Sequence, residues 1–305
     1  MDGCFDSSQT RQGVTPLNRL AIGTVQFGIP YGIANRVGQV ARSESSAILK
    51  FASTSGIDTL DTAIAYGDSE ECLGEIGTQG FKVITKLPLV PDSCVDINNW
   101  VTQQVQESLK RLGLAKIYGL LLHRPDQLLG SNGNTLFRSL IDLKTNGLVQ
   151  NIGVSIYSPL ELEALIPSYR FDLVQAPFNL IDQRLHISGW LHRLNDLGIE
   201  VHTRSTFLQG LLLMAKADIP ENFSTWNNLW KIWHRWLDVN GISAVQASLA
   251  FPLSFPEIDR VVIGVQSLSQ LSQIVSEANA SANYNLPNLQ CDDSKLINPA
   301  NWIKL

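Results

Sequence analysis

The sequence predicts a single-domain (β/α)8 TIM barrel, and three features of the chain carry that prediction. Eight short apolar runs alternate with helix-period segments over about 260 of the 305 residues, the usual size of such a barrel. The runs are apolar throughout, as expected for parallel strands that helices cover. Glycines that end a helix, such as Gly147 and Gly198, lie directly before the next run, so the helix-to-strand loops are short.

Strands and helices are expected to follow one another in strict alternation. Ser43, Asp96 and Ser267 suit helix N-caps, since a short polar side chain there accepts a hydrogen bond from a free backbone N–H. The predicted strands are Leu20–Gly23, Ile57–Asp61, Lys82–Lys86, Tyr118–His123, Asn151–Ser155, Leu173–Ala176, Glu200–Thr203 and Arg260–Gly264. The predicted helices are Ser43–Ser55, Ser69–Ile76, Ile97–Leu112, Thr135–Asn146, Pro159–Ile166, Gly189–Leu197, Ser243–Phe251 and Ser267–Ala280.

An open doubly wound sheet is the alternative fold class. It would need a compact glycine-rich loop after the first strand, whereas G-T-V-Q-F-G is spread out and no helix is expected to follow it at once. We divide the chain into a polar N-terminal tail (1–16), one barrel domain (17–290) and a C-terminal tail (291–305). The longest insertion, Ala217–Asn240, contains four tryptophans and predicts an extra helix packed on the barrel.

Composition argues against several classes of protein. The net charge is −5, the pI is about 5.5 and no Lys/Arg cluster stands out, which argues against a nucleic-acid partner. The four cysteines are scattered without a C-x-x-C pair, so neither a disulfide framework nor a metal site is expected. The chain has no apolar stretch of about 18 residues and no signal-peptide core. We expect a cytoplasmic protein without membrane contact, as a monomer or small homo-oligomer.

Four polar residues stand where predicted strands end. Asp61 ends the second strand, Tyr66 follows it, Lys86 ends the third strand and His123 ends the fourth. Because the active sites of barrels lie at the carboxyl ends of the strands, these four side chains are expected to gather at one rim.

A phenol, an ammonium, a carboxylate and an imidazole held together can move a proton to or from a carbonyl oxygen. Tyr66 would transfer the proton, and Lys86 would stabilise its phenolate as a nearby cation. Asp61 would keep Lys86 charged, and His123 would orient the carbonyl. Each residue alone fits a turn, a cap or a strand end equally well, so the hypothesis depends on all four occurring at consecutive strand ends.

These residues resemble the aldo-keto reductase family. The segment D-T-A-I-A-Y-G-D-S-E-E-C-L-G, Asp61 to Gly74, is similar to that family's signature, and the resemblance extends from L-A-I-G-T-V-Q-F-G to V-I-G-V-Q-S-L-S-Q-L near the C-terminus. It implies the barrel, a catalytic tetrad of the four strand-end residues, and a nicotinamide cofactor, NADP(H) or NAD(H), extended across the carboxyl rim. G-T-V-Q-F-G-I-P-Y-G looks most like a bacterial branch often found among sugar and polysaccharide genes.

The resemblance also implies cofactor contacts. Ser155 in G-V-S and Gln175 in V-Q-A-P-F-N-L match the two residues that hold the nicotinamide carboxamide. R-S-T-F-L-Q-G matches the loop around the nicotinamide and pyrophosphate, and I-G-V-Q-S-L-S-Q-L-S-Q matches the helix start around the adenosine phosphate, where free N–H groups favour an anion. The implied cofactor residues are Gly23, Thr24, Ser155, Gln175, Arg204, Ser205, Phe207, Leu208, Gln209, Gly210, Ile263, Gly264, Val265, Gln266, Ser267, Gln270 and Gln273.

Three regions depart from the family pattern. Ile156 stands where Asn usually follows the serine, so one carboxamide hydrogen bond is lost or replaced. Arg204 occupies a stacking position that is often aromatic, and its charge would alter the nicotinamide environment. The 2′-phosphate region offers Gln266, Ser267 and Gln270 in place of Lys or Arg, which hold a phosphate better. NADP(H) and NAD(H) therefore both stay open.

Two aromatic residues beyond the first strand, Phe27 and Tyr31, are the candidate substrate contacts, with Tyr31 favoured. Trp190 and Trp226 fit ordinary packing better, and Asn179 fits a turn better than a cofactor contact. The implied substrate is a small aldehyde or ketone, with sugar-type carbonyls included.

The leading hypothesis is an NAD(P)(H)-dependent oxidoreductase that reduces a carbonyl with Tyr66 as proton donor. One alternative is a nicotinamide-sensing regulatory subunit, which would need a basic or hydrophobic docking surface that the sequence does not show. Another is a non-redox lyase or isomerase with the same phenol and lysine, which would bind neither NADH nor NADPH.

Overall fold

The computed structural model describes residues 15–280 and 284–304, and within them eight parallel strands form a closed barrel. Each strand pairs with the next along the chain, and the last pairs with the first. The predicted fold class is confirmed. The strands are β1 (Leu20–Gly23), β2 (Thr59–Asp61), β3 (Lys82–Leu87), β4 (Ile117–Leu122), β5 (Val149–Ser155), β6 (Leu173–Pro177), β7 (Glu200–Arg204) and β8 (Arg260–Gly264).

Helices alternate with the strands and cover the outside of the barrel. Asp96 and Ser267 cap their helices as predicted, each accepting from a backbone N–H three residues on. Ser43 does not cap, because its helix begins one residue earlier, at Arg42. The helices are α1 (Val25–Gly28), α2 (Arg42–Thr54), α3 (Ser69–Ile76), α4 (Ile97–Leu112), α5 (Gly133–Thr145), α6 (Leu160–Leu165), α7 (Arg184–Ile187), α8 (Trp190–Asp196), α9 (Asn227–Asn240), α10 (Ala244–Leu253), α11 (Leu268–Asn279) and α12 (Ser294–Ile297).

Three short helices, α1, α7 and α12, were not predicted. The one-turn α1 follows β1 directly, since Thr24 accepts from the backbone N–H of Phe27. The chain then returns to an extended conformation at Ile29. The turn buries the side chains of Gln26 and Phe27 close to the carboxyl rim.

The barrel interior is apolar in the middle and polar at its ends. Side chains of a strand alternate between the two faces, so Lys82, Ile84 and Lys86 of β3 share one face. Ile84 packs with Leu121 and Leu173 in an apolar cluster of its own. This cluster divides the interior, and Lys86 lies on the carboxyl side of it.

The insertion after β7 forms the extra helix that its tryptophans predict. Trp230 and Trp233 of α9 are buried in a second apolar cluster, which also contains Leu296 of α12. The indole N–H of Trp233 donates to the carbonyl oxygen of Leu212 at 3.0 Å. Helix α9 therefore holds the loop that follows β7, where the sequence analysis places cofactor contacts.

Replacement of Trp233 by alanine should lower the free energy of unfolding by about 3–5 kcal/mol, because it removes a fully buried indole and its hydrogen bond. Urea denaturation followed by circular dichroism measures the change. Trp236→Ala is the matched control, since Trp236 is partly exposed and bonds to Asn285 at the surface. Equal losses in the two variants would contradict the assignment of Trp233 to the cluster.

Candidate active site

Asp61 and Lys86 form a buried ion pair at the carboxyl rim. They stand at the ends of the neighbouring strands β2 and β3. Lys86 Nζ lies 2.7 Å from Asp61 Oδ2 and donates a second hydrogen bond to the carbonyl oxygen of Thr62 at 2.9 Å. Only 1% of the Lys86 side chain is exposed. The ammonium therefore depends on the protein, and not on water, for its stabilisation.

The pKa of Lys86 depends on two opposing effects, burial of the ammonium and the nearby charge of Asp61. Burial alone would lower this pKa, because it penalises the ammonium. The Asp61 carboxylate, with the Tyr66 hydroxyl after it, acts in the opposite direction, and the pKa of Lys86 is raised above its ordinary value. Lys86 is therefore charged at neutral pH, with Asp61 as its counter-ion.

Tyr66 lies beside both Lys86 and His123. The Lys86 Nζ atom is 5.0 Å from the centroid of the Tyr66 ring, and the rings of Tyr66 and His123 meet edge to face with centroids 5.9 Å apart. All four strand-end residues, Asp61 included, line one cavity. The structure thus brings together the carboxylate, ammonium, phenol and imidazole that the sequence singles out.

Two glycines set the position of the Tyr66 loop. A Cβ on Gly28 would lie 1.7 Å from the carbonyl oxygen of Tyr66, and a Cβ on Gly67 would lie 2.5 Å from the carbonyl oxygen of Gly28. Gly67 also has a φ of +55°, which favours glycine. Beside this contact, the Ser69 hydroxyl donates to the Thr24 carbonyl oxygen at 2.9 Å. Tyr66 is thus held by close backbone packing against α1.

Glu70, inside the signature segment, anchors the helix that follows Tyr66. Its side chain is buried and accepts hydrogen bonds from Thr85 at 2.6 Å and Ser108 at 2.7 Å. Arg111 donates two further bonds to it, at 2.9 and 2.7 Å. Arg111 balances the negative charge of Glu70, and these donor side chains are all hydrogen-bonded to its carboxylate. This buried carboxylate therefore connects α3 to β3 and α4.

His123 is neutral at physiological pH. Burial, followed by the positive charges of Lys86 and Arg204, lowers its pKa from 6.5 to about 4. A neutral imidazole can donate one hydrogen bond to a carbonyl oxygen without bringing a second cation next to Lys86. The structure therefore offers an uncharged donor beside the Tyr66 ring.

Ser155 and Gln175 extend the buried network across the rim. The Gln175 amide donates to Asp61 Oδ1 at 2.6 Å and accepts from the Ser155 hydroxyl at 3.1 Å. All three side chains are at least nine-tenths buried. Of the two residues implied to hold the nicotinamide carboxamide, Gln175 is bonded directly to Asp61 and Ser155 is connected through Gln175, a network that the sequence does not predict.

The cavity above this network has a volume of about 670 Å³, within the usual range for small-molecule sites. Most of the implied cofactor residues line it, together with Tyr31. They are Gly23, Thr24, Ser155, Gln175, Arg204, Ser205, Phe207, Gln209, Gly210, Gly264, Gln266, Gln270 and Gln273.

The other implied residues lie elsewhere. Leu208, Ile263 and Val265 are buried in the apolar clusters, and Ser267 serves as the cap of α11. Phe27, a candidate substrate contact, is fully buried in the core, because the one-turn helix α1 directs it away from the rim.

Gln26 is the most informative lining residue that the sequence analysis missed. It is 8% exposed, and its amide oxygen finds no hydrogen-bond partner among the described residues. The amide lies against Gly264, where a Cβ would approach Gln26 Nε2 to 2.7 Å. A buried acceptor beside a cavity calls for a ligand donor. The signal was present in the motif G-T-V-Q-F-G, whose only side-chain amide is Gln26.

The guanidinium of Arg204 lies over an aromatic ring, that of Tyr157, which the sequence analysis also missed. The guanidinium carbon is 4.7 Å from the centroid of the Tyr157 ring, and Nη2 donates to the carbonyl oxygen of Ile156 at 3.0 Å. The Ile156 side chain is buried in the core. Two of the three departures from the family pattern, Arg204 and Ile156, are thus bonded to each other. Both Arg204 and Tyr157 line the cavity.

The loop after β7 is held in an unusual conformation. Ser205, Leu208 and Gln209 have φ of 64°, 48° and 53°, a region that residues other than glycine seldom adopt. The Asn179 amide fixes the loop by donating to the Ser205 carbonyl oxygen at 2.9 Å, and its own oxygen forms a turn, as the sequence predicts. Such backbone is characteristic of ligand-binding segments.

A contact across the cavity rim joins this loop to the segment after α1. The Gln209 amide donates to the Tyr31 hydroxyl at 3.0 Å. Tyr31 is 39% exposed and lines the cavity, as do its neighbours Gly32 and Ala34. The rim is therefore bridged at this point by two loops that lie 178 residues apart in the sequence.

Comparison with known proteins agrees with this geometry. The model of the Aldo/keto reductase family matches residues 19–285. Similar solved structures include a Pseudomonas aeruginosa protein assigned to the aldo-keto reductases, with a TM-score of 0.64, 22% identity and coverage of 86% of this chain and 90% of that one. Another is the holo form of the aldo-keto reductase AKR11C1 from Bacillus halodurans, with a TM-score of 0.68, 18% identity and coverage of 87% and 88%. None of the curated proteins compared with the sequence matches it.

The barrel, the rim cluster and the family match together define a class of enzyme. The chain belongs to the aldo/keto reductase family, whose members are NAD(P)-dependent oxidoreductases acting on carbonyl compounds. Over residues 15–280 and 284–304, no helix is long and apolar enough to cross a membrane. The same residues contain no group of three or more His, Cys, Asp or Glu side chains that could hold a metal ion.

Gly28→Ala should lower the rate of NAD(P)H-dependent carbonyl reduction on the order of 100-fold. The new methyl would lie 1.7 Å from the Tyr66 carbonyl oxygen, so the loop that carries Tyr66 must move by more than 1 Å. Steady-state kinetics measure the change. Gly130→Ala is the matched control, because the nearest atom to its Cβ lies at an ordinary 3.4 Å. Equal rates in the two variants would contradict this account of the loop.

His123 should make folding stability depend on pH between 6.5 and about 4. In that window the unfolded chain carries a proton on His123 that the folded protein lacks, so stability falls as pH falls. His123→Asn removes this dependence, and the slope of unfolding free energy against pH should decrease by up to about 1.4 kcal/mol per pH unit. Urea denaturation at pH 4.5, 5.5 and 6.5 measures it. His192→Asn, a surface variant, controls for the loss of a histidine; an unchanged slope in His123→Asn would refute the prediction.

Proposed function

We propose that this protein reduces an aldehyde or ketone to an alcohol with NAD(P)H, and that Tyr66 donates the proton. The observation that carries the proposal is the cluster of Asp61, Lys86, Tyr66 and His123 at the floor of one cavity. A buried counter-ion, a charged ammonium, a phenol and a neutral imidazole are the groups that proton delivery to a carbonyl oxygen requires.

The residues of the cavity fit a nicotinamide dinucleotide. Gly23 and Gly264 line the cavity and have no side chains, so a ligand can approach the backbone closely. The amide oxygen of Gln26 is a buried acceptor that has no hydrogen-bond partner among the described residues. Ser155 and Gln175 lie beside the catalytic cluster, as carboxamide holders would. When bound, the cofactor supplies the hydride that reaches the carbonyl carbon.

The proton half of the reaction is assigned to residues of this chain. Tyr66 gives its hydroxyl proton to the carbonyl oxygen, and the nearby ammonium of Lys86 stabilises the phenolate that forms. Asp61 keeps Lys86 charged throughout. His123, neutral because of its lowered pKa, donates a hydrogen bond to the same oxygen and orients it. In the direction of oxidation, Tyr66 acts as the base.

Small carbonyl compounds, sugar-type carbonyls among them, are the proposed substrates. Tyr31 and Tyr157 line the cavity and offer aromatic surface with hydroxyl groups, which suits polyhydroxylated molecules. Arg204 lies over the Tyr157 ring and adds a positive charge to the same wall.

Tyr66→Phe should reduce kcat by at least about 100-fold, because it removes the proton donor and leaves the ring. The dissociation constants of NADH and NADPH should change by no more than about twofold. Stopped-flow reduction of a panel of aldehydes, ketones and sugars measures the first effect, and quenching of the fluorescence of the seven tryptophans measures the second.

Tyr118→Phe is the matched control, since Tyr118 lies at the opposite end of the barrel and bonds to Glu200. Normal turnover by Tyr66→Phe would exclude Tyr66 as the donor. If the unmodified protein bound neither nucleotide, the redox proposal would fail, and a lyase or isomerase with the same phenol and lysine would take its place.

A further inference from the structure

The polar side chains that line the cavity near α11 are neutral amides. They are those of Gln266, Gln270 and Gln273, which belong to the loop after β8 and to helix α11. Among the described residues, the Lys and Arg side chains that line the cavity are Lys86 and Arg204, and both stand at strand ends on the rim. A dinucleotide whose nicotinamide lies by Tyr66 must direct its adenosine away from the rim cluster, toward α11.

Three backbone N–H groups at the start of α11 are already bonded to side chains of the protein. The Leu268 N–H donates to a carboxylate oxygen of Glu44 at 2.6 Å. The Gln270 N–H donates to the Ser267 hydroxyl at 3.2 Å, and the Gln266 N–H donates to the Gln270 amide oxygen at 2.8 Å. Two of the first three helical N–H donors, those of Leu268 and Gln270, therefore have internal acceptors and are less open to an anion.

Glu44 brings a negative charge to this helix start. It lies in the first turn of α2, and its carboxylate accepts from the N–H of Leu268, a residue that stands between the cavity-lining Gln266 and Gln270. The nearest basic residue along the chain, Arg42, is engaged by Asp68 at 2.9 Å and Glu75 at 3.2 Å. A phosphate placed here would meet a carboxylate and neutral amides, and like charges repel.

A ribose hydroxyl at the start of α11 would not be repelled as a phosphate would. It carries no charge, and it can donate a hydrogen bond to a carboxylate or to a glutamine amide oxygen. In the Rossmann dinucleotide-binding fold, an acidic residue accepts from the 2′-hydroxyl of NAD, and a nearby arginine donates to the 2′-phosphate of NADP. The charge at α11 therefore distinguishes the two cofactors.

We propose that this enzyme selects NAD(H) over NADP(H), and that Glu44 is the residue that determines the selection. This rests on the proposed nicotinamide-dependent function and deepens it. Glu44 disfavours the 2′-phosphate by its charge and by occupying the Leu268 N–H, while Gln266, Gln270 and Gln273 offer hydrogen bonds and no cation.

The first test compares the dissociation constants of NADH and NADPH for the unmodified protein, measured by quenching of tryptophan fluorescence and by calorimetry. NADH is expected to bind at least about tenfold more tightly, a difference of about 1.4 kcal/mol. Equal binding of the two, or tighter binding of NADPH, overturns the inference and leaves the proposed function intact. Failure of both nucleotides to bind overturns the proposed function and the inference together.

The second test changes the charge. Glu44→Gln removes the negative charge and keeps an amide oxygen that can still accept from the Leu268 N–H. The dissociation constant of NADPH should therefore fall several-fold, while that of NADH stays near its original value. Gln270→Arg adds a cation and should tighten NADPH binding further. Glu107→Gln, on the exposed surface of α4, removes the same charge elsewhere and should change neither constant. An unchanged ratio of the two constants in Glu44→Gln overturns the role of Glu44, and a change in Gln270→Arg shows that the ratio responds to charge at the start of α11.

Discussion

The contact on which the rest of the site depends is the buried pair of Asp61 and Lys86. With the lysine 1% exposed, the ammonium has no access to bulk water, and removing either partner would strand a charge at a cost of about 3–5 kcal/mol. Asp61 also accepts from Gln175, so one carboxylate connects β2, β3 and β6. The interaction that keeps Lys86 ready beside Tyr66 is therefore the same interaction that holds three strand ends together.

Much of the barrel and its catalytic cluster follows from local sequence. Apolar runs bounded by glycine give strands correct to within two residues, and a polar residue at the end of a parallel strand has only the rim to occupy. For this reason Asp61, Lys86 and His123 could be assigned by position alone. Tyr66, which lies in a loop, was named together with them, but the pattern could not fix its position, because that depends on a backbone contact with Gly28 some forty residues earlier.

The side chains around the cluster were harder to assign, since long-range packing decides which way they face. In the single turn of α1, Phe27 enters the core while its neighbour Gln26 reaches the cavity, and no periodicity can be read from four residues. Glu44 lies more than two hundred residues from Leu268, so neither local sequence predicts the hydrogen bond between them at the start of α11. The Arg204–Tyr157 contact likewise joins two different strand ends.

The bridge between Tyr31 and Gln209 has a kinetic consequence. A neutral hydrogen bond in a partly exposed setting contributes only about 1 kcal/mol, so thermal motion opens it often and without loss of the surrounding fold. The strained backbone at Ser205, Leu208 and Gln209 belongs to one of the two loops and does not extend into the barrel strands. Entry and exit of a long ligand can therefore proceed by parting two surface segments, while the buried charges beneath keep their places from one turnover to the next.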